Sequence, residues 1–200
     1  MTMELRAEPS QGRDRRRGEP GRTVRRLHWG CGAFPQVGWI NADLKNFPGV
    51  QIVGDIRKGL PLEADSIGYA VSIHALPEIP YPDLVPALRE LRRVLEPGGV
   101  LRLGLPDIDK AIRAYQSDDR DYFMVSDEDG RRIGSKFIVQ AIWYGHTRTP
   151  FNYDFAEERL LKAGFQRIER CEYRQTASPF PDIVQADNRE HESFFVEAVK

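Results

Sequence analysis

Short apolar runs alternate with turns and amphipathic stretches from residue 24 to the end of the chain. Residues 24–29 form a first run, which enters Gly30-Cys31-Gly32, and Ile40-Asn41-Ala42-Asp43-Leu44 forms a second, which reaches a carboxylate. Residues 50–55 repeat the theme, a β-branched run ending in Asp55. In 67–74, Tyr69, Val71 and Ile73 alternate as in a buried strand. Leu84, Leu88, Leu91 and Leu95 recur at helical spacing with arginines opposite, and Glu96-Pro97-Gly98-Gly99 is predicted to stop that helix. Residues 100–105 read as the next strand and deliver Pro106-Asp107 to the sheet edge reached by the glycine turn. Strands alternating with helices predict an α/β fold with a parallel sheet and right-handed crossovers.

The second half is less regular. Residues 117–130 are acidic and loop-like, and 133–144 are predicted helical, running into Trp143-Tyr144-Gly145-His146. Asp154-Phe155-Ala156-Glu157 has the form of a helix cap with a glutamate three residues on, and that helix stops at Gly164. Residues 165–173 and 193–199 are the last strands. With no helical crossover between them, they are expected to pair antiparallel.

The glycine turn is the first candidate for chemistry. Ligands of open α/β sheets bind outside the carboxyl ends of the strands. Gly30 and Gly32 let a ligand lie against bare backbone. Asp43, ending the next strand, is placed to accept two hydrogen bonds from a ribose diol, and Asp55 stands where a base edge could be read. Only six residues separate Gly32 from Trp39, with Pro35 and Gly38 among them, so about one helical turn fits at most. A nicotinamide-dinucleotide fold needs a full helix there and its acid about 20 residues on, which argues against that cofactor.

Composition narrows the class further. The chain has 200 residues, 40% hydrophobic and 30% charged, and carries a net charge of −1, as expected of one soluble globular domain. That charge offers no general attraction to nucleic acid or an anionic membrane. No apolar run approaches the roughly 18 residues of a membrane span, and no secretory signal is evident, so the cytoplasm is the expected compartment. Cys31 and Cys171 make neither a disulfide framework nor a metal cluster, and Cys31 reads as a small packed residue. Residues 1–22, rich in Arg, Glu, Pro and Gly, are expected to be a flexible basic tail; an arginine arm on a polyanion or a partner is the alternative. Residues 23–200 are expected to be one domain, with 107–150 as an insertion forming a lid or acceptor site.

The ordered motifs resemble class I S-adenosylmethionine-dependent methyltransferases, most closely the small bacterial methyltransferase-type-11 group. Leu27-His28-Trp29-Gly30-Cys31-Gly32 is similar to their first motif, and Asp43 to the acid ending the second strand. Asp55-Ile56 resembles the adenine-reading pair, Ile73-His74-Ala75-Leu76 the motif after the fourth strand, and Glu96-Pro97-Gly98-Gly99 the turn before the fifth. The likeness spans about residues 23–200. It implies a Rossmann-like, mostly parallel seven-stranded sheet with an antiparallel last strand and helices on both faces. It implies S-adenosylmethionine as cofactor, held by His28, Gly30, Cys31, Gly32, Asp43, Leu44, Asp55, Ile56, Ile73 and His74. The chain departs from the family at His28, where an acid is usual, and at Pro77-Glu78 in place of Glu-His.

For catalysis the rim supplies His74, Asp107 and His146, with histidine suited by its neutral-range pKa. The expected reaction is methyl transfer to a small-molecule or sugar-type acceptor at oxygen. The alternatives are a non-catalytic cofactor-binding protein of the same fold and an RNA methyltransferase steered by the tail.

Overall fold

The computed structural model describes residues 24–200. The basic tail, and the RNA-binding expectation that rests on it, lie outside the described residues.

Seven strands form one sheet: β1 (Arg26–Trp29), β2 (Ile40–Asp43), β3 (Ile52–Val53), β4 (Ile67–Ile73), β5 (Leu95–Pro106), β6 (Arg167–Cys171) and β7 (Ser193–Val199). Their order is β3-β2-β1-β4-β5-β7-β6. β1 to β5 pair in parallel, and β7 runs antiparallel to both β5 and β6. β4 is buried along its whole length, as a central strand covered on both faces must be. β5 begins five residues earlier than predicted. Leu95 pairs with Ile67, and the register slips before Tyr69 meets Val100. The Pro97-Gly98-Gly99 turn is thus absorbed as a bulge inside the strand instead of separating helix from strand.

Helices α1 (Leu84–Val94) and α4 (Tyr153–Ala163) lie together over one face, where Leu84, Leu88, Leu91 and Leu160 join the main core. The cap of α4 is Asn152, not Asp154: the Asn152 amide oxygen accepts from Phe155 N at 3.0 Å, and Asp154 falls in the first turn. Helix α2 (Ile108–Gln116) was not anticipated, because its buried face is only Ala111 and Ala114 and leaves no large apolar stripe to read. Helix α3 (Ile133–Ile142) ends two residues before the predicted 144, and Trp143 to Gly145 form a left-handed turn instead.

The other face of the sheet carries a second apolar cluster of Trp39, Tyr69, Val71, Ile183 and Phe195. Its covering layer is the segment 172–192, whose regular structure is one 3-10 turn, Pro181–Val184. A buried guanidinium anchors that segment. Arg102 on β5 donates to Asp187 at 2.8 and 2.5 Å and to its cross-strand partner Glu197 at 2.8 Å, and also to the carbonyls of Glu172 and Gln175. All three charged side chains are essentially withdrawn from water. The segment that closes this face also carries Arg189 and Glu192 to the rim.

Candidate active site at the carboxyl edge of the sheet

At the end of β1 the chain reverses through Gly30 and Gly32, with φ of +70° and +53°. Gly30 N and Cys31 N donate to Ala42 O on β2, at 2.7 and 3.3 Å. Asp43 fastens the turn from the next strand, one carboxylate oxygen accepting from Gly32 N at 2.8 Å and the other from Lys45 N at 2.9 Å. A carboxylate offers about four acceptor sites, so two remain for a ligand. A side chain on Gly30 would collide with Ala75 after β4, whereas the space beside Gly32 is open to 4 Å. The turn is therefore closed on one side and bare on the other.

Asp55 caps a 3-10 turn and is gripped by the Arg57 side chain at 2.6–3.0 Å. That pairing holds its carboxyl below the usual range. Ile56 packs into the main core and Ile73 into the second cluster. Leu44 is exposed beside Asp43. Cys31 is buried and burial pushes its thiol up to about 11, which leaves it inert as a nucleophile.

His28 is 4% exposed, edge-on to Trp39, and its Nδ1 has no hydrogen-bond partner among the described residues. Burial pushes it down to about 4, against a smaller upward pull from Asp43. Its folded pKa lies below the ordinary 6.5, so the unfolded chain binds more protons between those values. Stability is therefore complete above pH 6.5 and falls as pH drops toward 4. Urea unfolding across that window should show the slope, and His28→Leu should flatten it.

The three catalytic candidates meet in one cavity of about 130 Å³, whose walls include His74, Asp107, Tyr122, His146, Arg189 and Glu192. His74 follows β4 in a left-handed conformation, φ +57°, with its Nε2 2.7 Å from Ser193 Oγ and its Nδ1 4.0 Å from Glu192 Oε1. Burial, helped by Arg189, pushes it down to about 3. Asp107 is buried and caps α2 by accepting from Asp109 N at 3.0 Å. His146 is exposed at the mouth. Trp143 and Arg189 in the same walls also have positive φ. Three such non-glycine residues around one cavity mark stored backbone strain, which gathers at functional sites.

Arg189, Glu192 and Tyr122 were not singled out from the sequence. The signal for the first two was present: a strand antiparallel to β5 must begin at the edge where β5 ends. The charged run Asp187 to Glu192 just before β7 therefore had to lie at the rim. Pro106 stands opposite Ser193, and Asp107 N donates to Glu192 O at 2.8 Å. Tyr122 belongs to the loop after α2 and carried no such sign.

Residues 35–103 match the model of the methyltransferase domain family. No curated protein matches the sequence. Among solved structures, an S-adenosylmethionine-dependent methyltransferase of Thermotoga maritima is 17% identical, with a TM-score of 0.57 over 90% of this chain and 83% of its own. One from Mesorhizobium loti is 18% identical, with a TM-score of 0.51 over 88% and 91%. The CMeT domain of the citrinin polyketide synthase is 14% identical at 0.54, over 90% of this chain and 47% of that one. The seven-stranded order is that of the Rossmann-like fold of these S-adenosylmethionine-dependent methyltransferases, and about a third of the chain matches the methyltransferase domain model.

The residues present fit S-adenosylmethionine, the cofactor of those neighbours. An open cradle beside Gly32, free acceptor capacity on Asp43 and an orphaned buried nitrogen on His28 converge on the same turn. Among the described residues no cluster of His, Cys, Asp or Glu could hold a metal ion, and no helix is long and apolar enough to cross a membrane.

Proposed function

We propose that the protein transfers a methyl group to an oxygen of a small-molecule acceptor, of sugar or comparable hydroxyl type. The observation that carries this reading is the cavity itself, in which His74, Asp107 and His146 come together. The His74-Ala75 turn links it to the glycine turn, since Ala75 lies against Gly30. Bound S-adenosylmethionine supplies an electrophilic methyl group on a sulfonium centre.

In this reading Gly30, Cys31 and Gly32 present backbone to the cofactor. Asp43 accepts from its ribose hydroxyls, with Leu44 against the nucleoside, and Asp55 with Ile56 meets the adenine edge. His28 and the Ile73-His74 turn flank the methionine end. The 107–150 segment, through Asp107, Tyr122, Trp143 and His146, shapes the acceptor pocket and shields it from bulk water. Holding the acceptor hydroxyl in line supplies most of the rate, and a positioned base adds to it.

Calorimetric titration with S-adenosylmethionine and its demethylated product tests the cofactor side. Wild type should bind both saturably, and Asp43→Ala should weaken both by about 10- to 100-fold, the worth of a carboxylate–hydroxyl hydrogen bond. Unchanged affinity in Asp43→Ala would remove the ribose assignment. A screen of hydroxyl acceptors, read by formation of the demethylated cofactor, tests the other side.

A further inference from the structure

We infer that Glu192 is the catalytic base of the cavity, taking the proton of the acceptor hydroxyl at the carboxylate oxygen not used by Arg189. The inference rests on the methyl-transfer reading above.

The geometry separates Glu192 from the other candidates. His74 is fixed by Ser193 and burial keeps it neutral with a pKa of about 3, so it is too weak a base to draw a proton from a hydroxyl. Asp107 is committed to the cap of α2, and its second oxygen lies 3.7 Å from Arg170. His146 is exposed at the mouth, where water competes for any proton it would take. Glu192 is held in the wall from two sides: its backbone carbonyl accepts from Asp107 N, and its Oε1 accepts from Arg189 at 3.1 Å. Its side chain is 6% exposed while that of Arg189 is 42% exposed, and both residues line the cavity. Among the described residues, its side-chain hydrogen bonding is confined to Oε1, which leaves Oε2 to the acceptor.

Burial raises the carboxyl of Glu192 above its ordinary value, against the opposing charges of Arg189, His191 and Lys110. Tyr122, Asp107 and His74 complete its surroundings within the cavity. A raised carboxylate is a stronger base, and is matched better to a hydroxyl acceptor. The step balances simply. The acceptor oxygen forms a bond to the methyl carbon as the carbon–sulfur bond breaks, and its electron pair stays on sulfur as a neutral thioether. The hydroxyl proton passes to Glu192 and then to water at the mouth.

The test uses the full chain and 4-nitrophenol as acceptor probe, whose absorbance distinguishes phenol from phenolate. Bound beside the demethylated cofactor in wild type, the probe should stay a phenol donating to Glu192. Its ionisation midpoint should rise by about 1 pH unit, as expected beside a carboxylate. Glu192→Gln should return that midpoint to the value of the free probe. With S-adenosylmethionine present, Glu192→Gln should lower kcat for methylation of the probe by about 100-fold with cofactor affinity unchanged, and Glu192→Asp should recover part of the loss. An unaltered midpoint or rate in Glu192→Gln overturns the assignment. So does failure of the probe to bind a protein that binds the demethylated cofactor. Failure to bind the cofactor product itself would instead overturn the underlying reading, and this proposal with it.

Discussion

Arg102→Met should lower stability by about 3–5 kcal/mol, the cost of leaving buried charge without its partner. Arg102 lies in the middle of β5 with no exposure, and both Asp187 and Glu197 donate nothing in return: they accept its protons at 2.5–2.8 Å. Methionine fills most of the volume but leaves two carboxylates in an apolar layer. A domain of this size has about 5–15 kcal/mol in all, so the variant would stand near the edge of folding. Urea unfolding reads the loss. Neutralising the carboxylates as well, with Asp187→Asn and Glu197→Gln, should recover part of the loss. A variant as stable as wild type would show that the triad contributes no net stability.

The second large effect separates two glycines two residues apart. Gly30→Ala places a Cβ 2.1 Å from the Ala75 Cβ at a φ of +70°. Left-handed backbone and the forced shift of the His74-Ala75 turn should together cost about 2–4 kcal/mol. Because that turn joins both halves of the site, cofactor affinity should fall with stability. Gly32→Ala meets nothing within 4 Å, so its stability cost is the backbone term alone, about 1 kcal/mol. Its methyl group enters the open side of the cradle, and cofactor affinity should still drop by tenfold or more, about 1.4 kcal/mol. Thermal unfolding and calorimetry on the two variants decide the matter. If Gly32→Ala binds S-adenosylmethionine as wild type does, the cofactor does not lie against that face of the turn.

Much of this site was legible because its parts depend on local chemistry. Positive φ after a strand calls for glycine, a short apolar run makes a strand, and a carboxylate at its end must sit at the rim. Gly30, Gly32 and Asp43 obey those rules and occupy the positions expected of them. The absence of a helix between Gly32 and Trp39 followed from Pro35 and Gly38 in the same way. The elements that escaped are those whose local signal is faint. Helix α2 buries only alanines, and the true cap of α4 lies two residues before the acid that imitated one.

The residue pattern by itself determined the strands, the helices with a large apolar face, the antiparallel close and the glycine–acid framework, because hydrophobic period and backbone preference act within a few residues. Tertiary structure alone decided which distant polar groups meet. Arg102 finds Asp187 from 85 positions away, and His74 finds Ser193 from 119. Those pairings arise from strand order and register, which bring β7 and its preceding segment beside β5 and the end of β4. No local preference encodes them, and burial then tunes the groups they enclose.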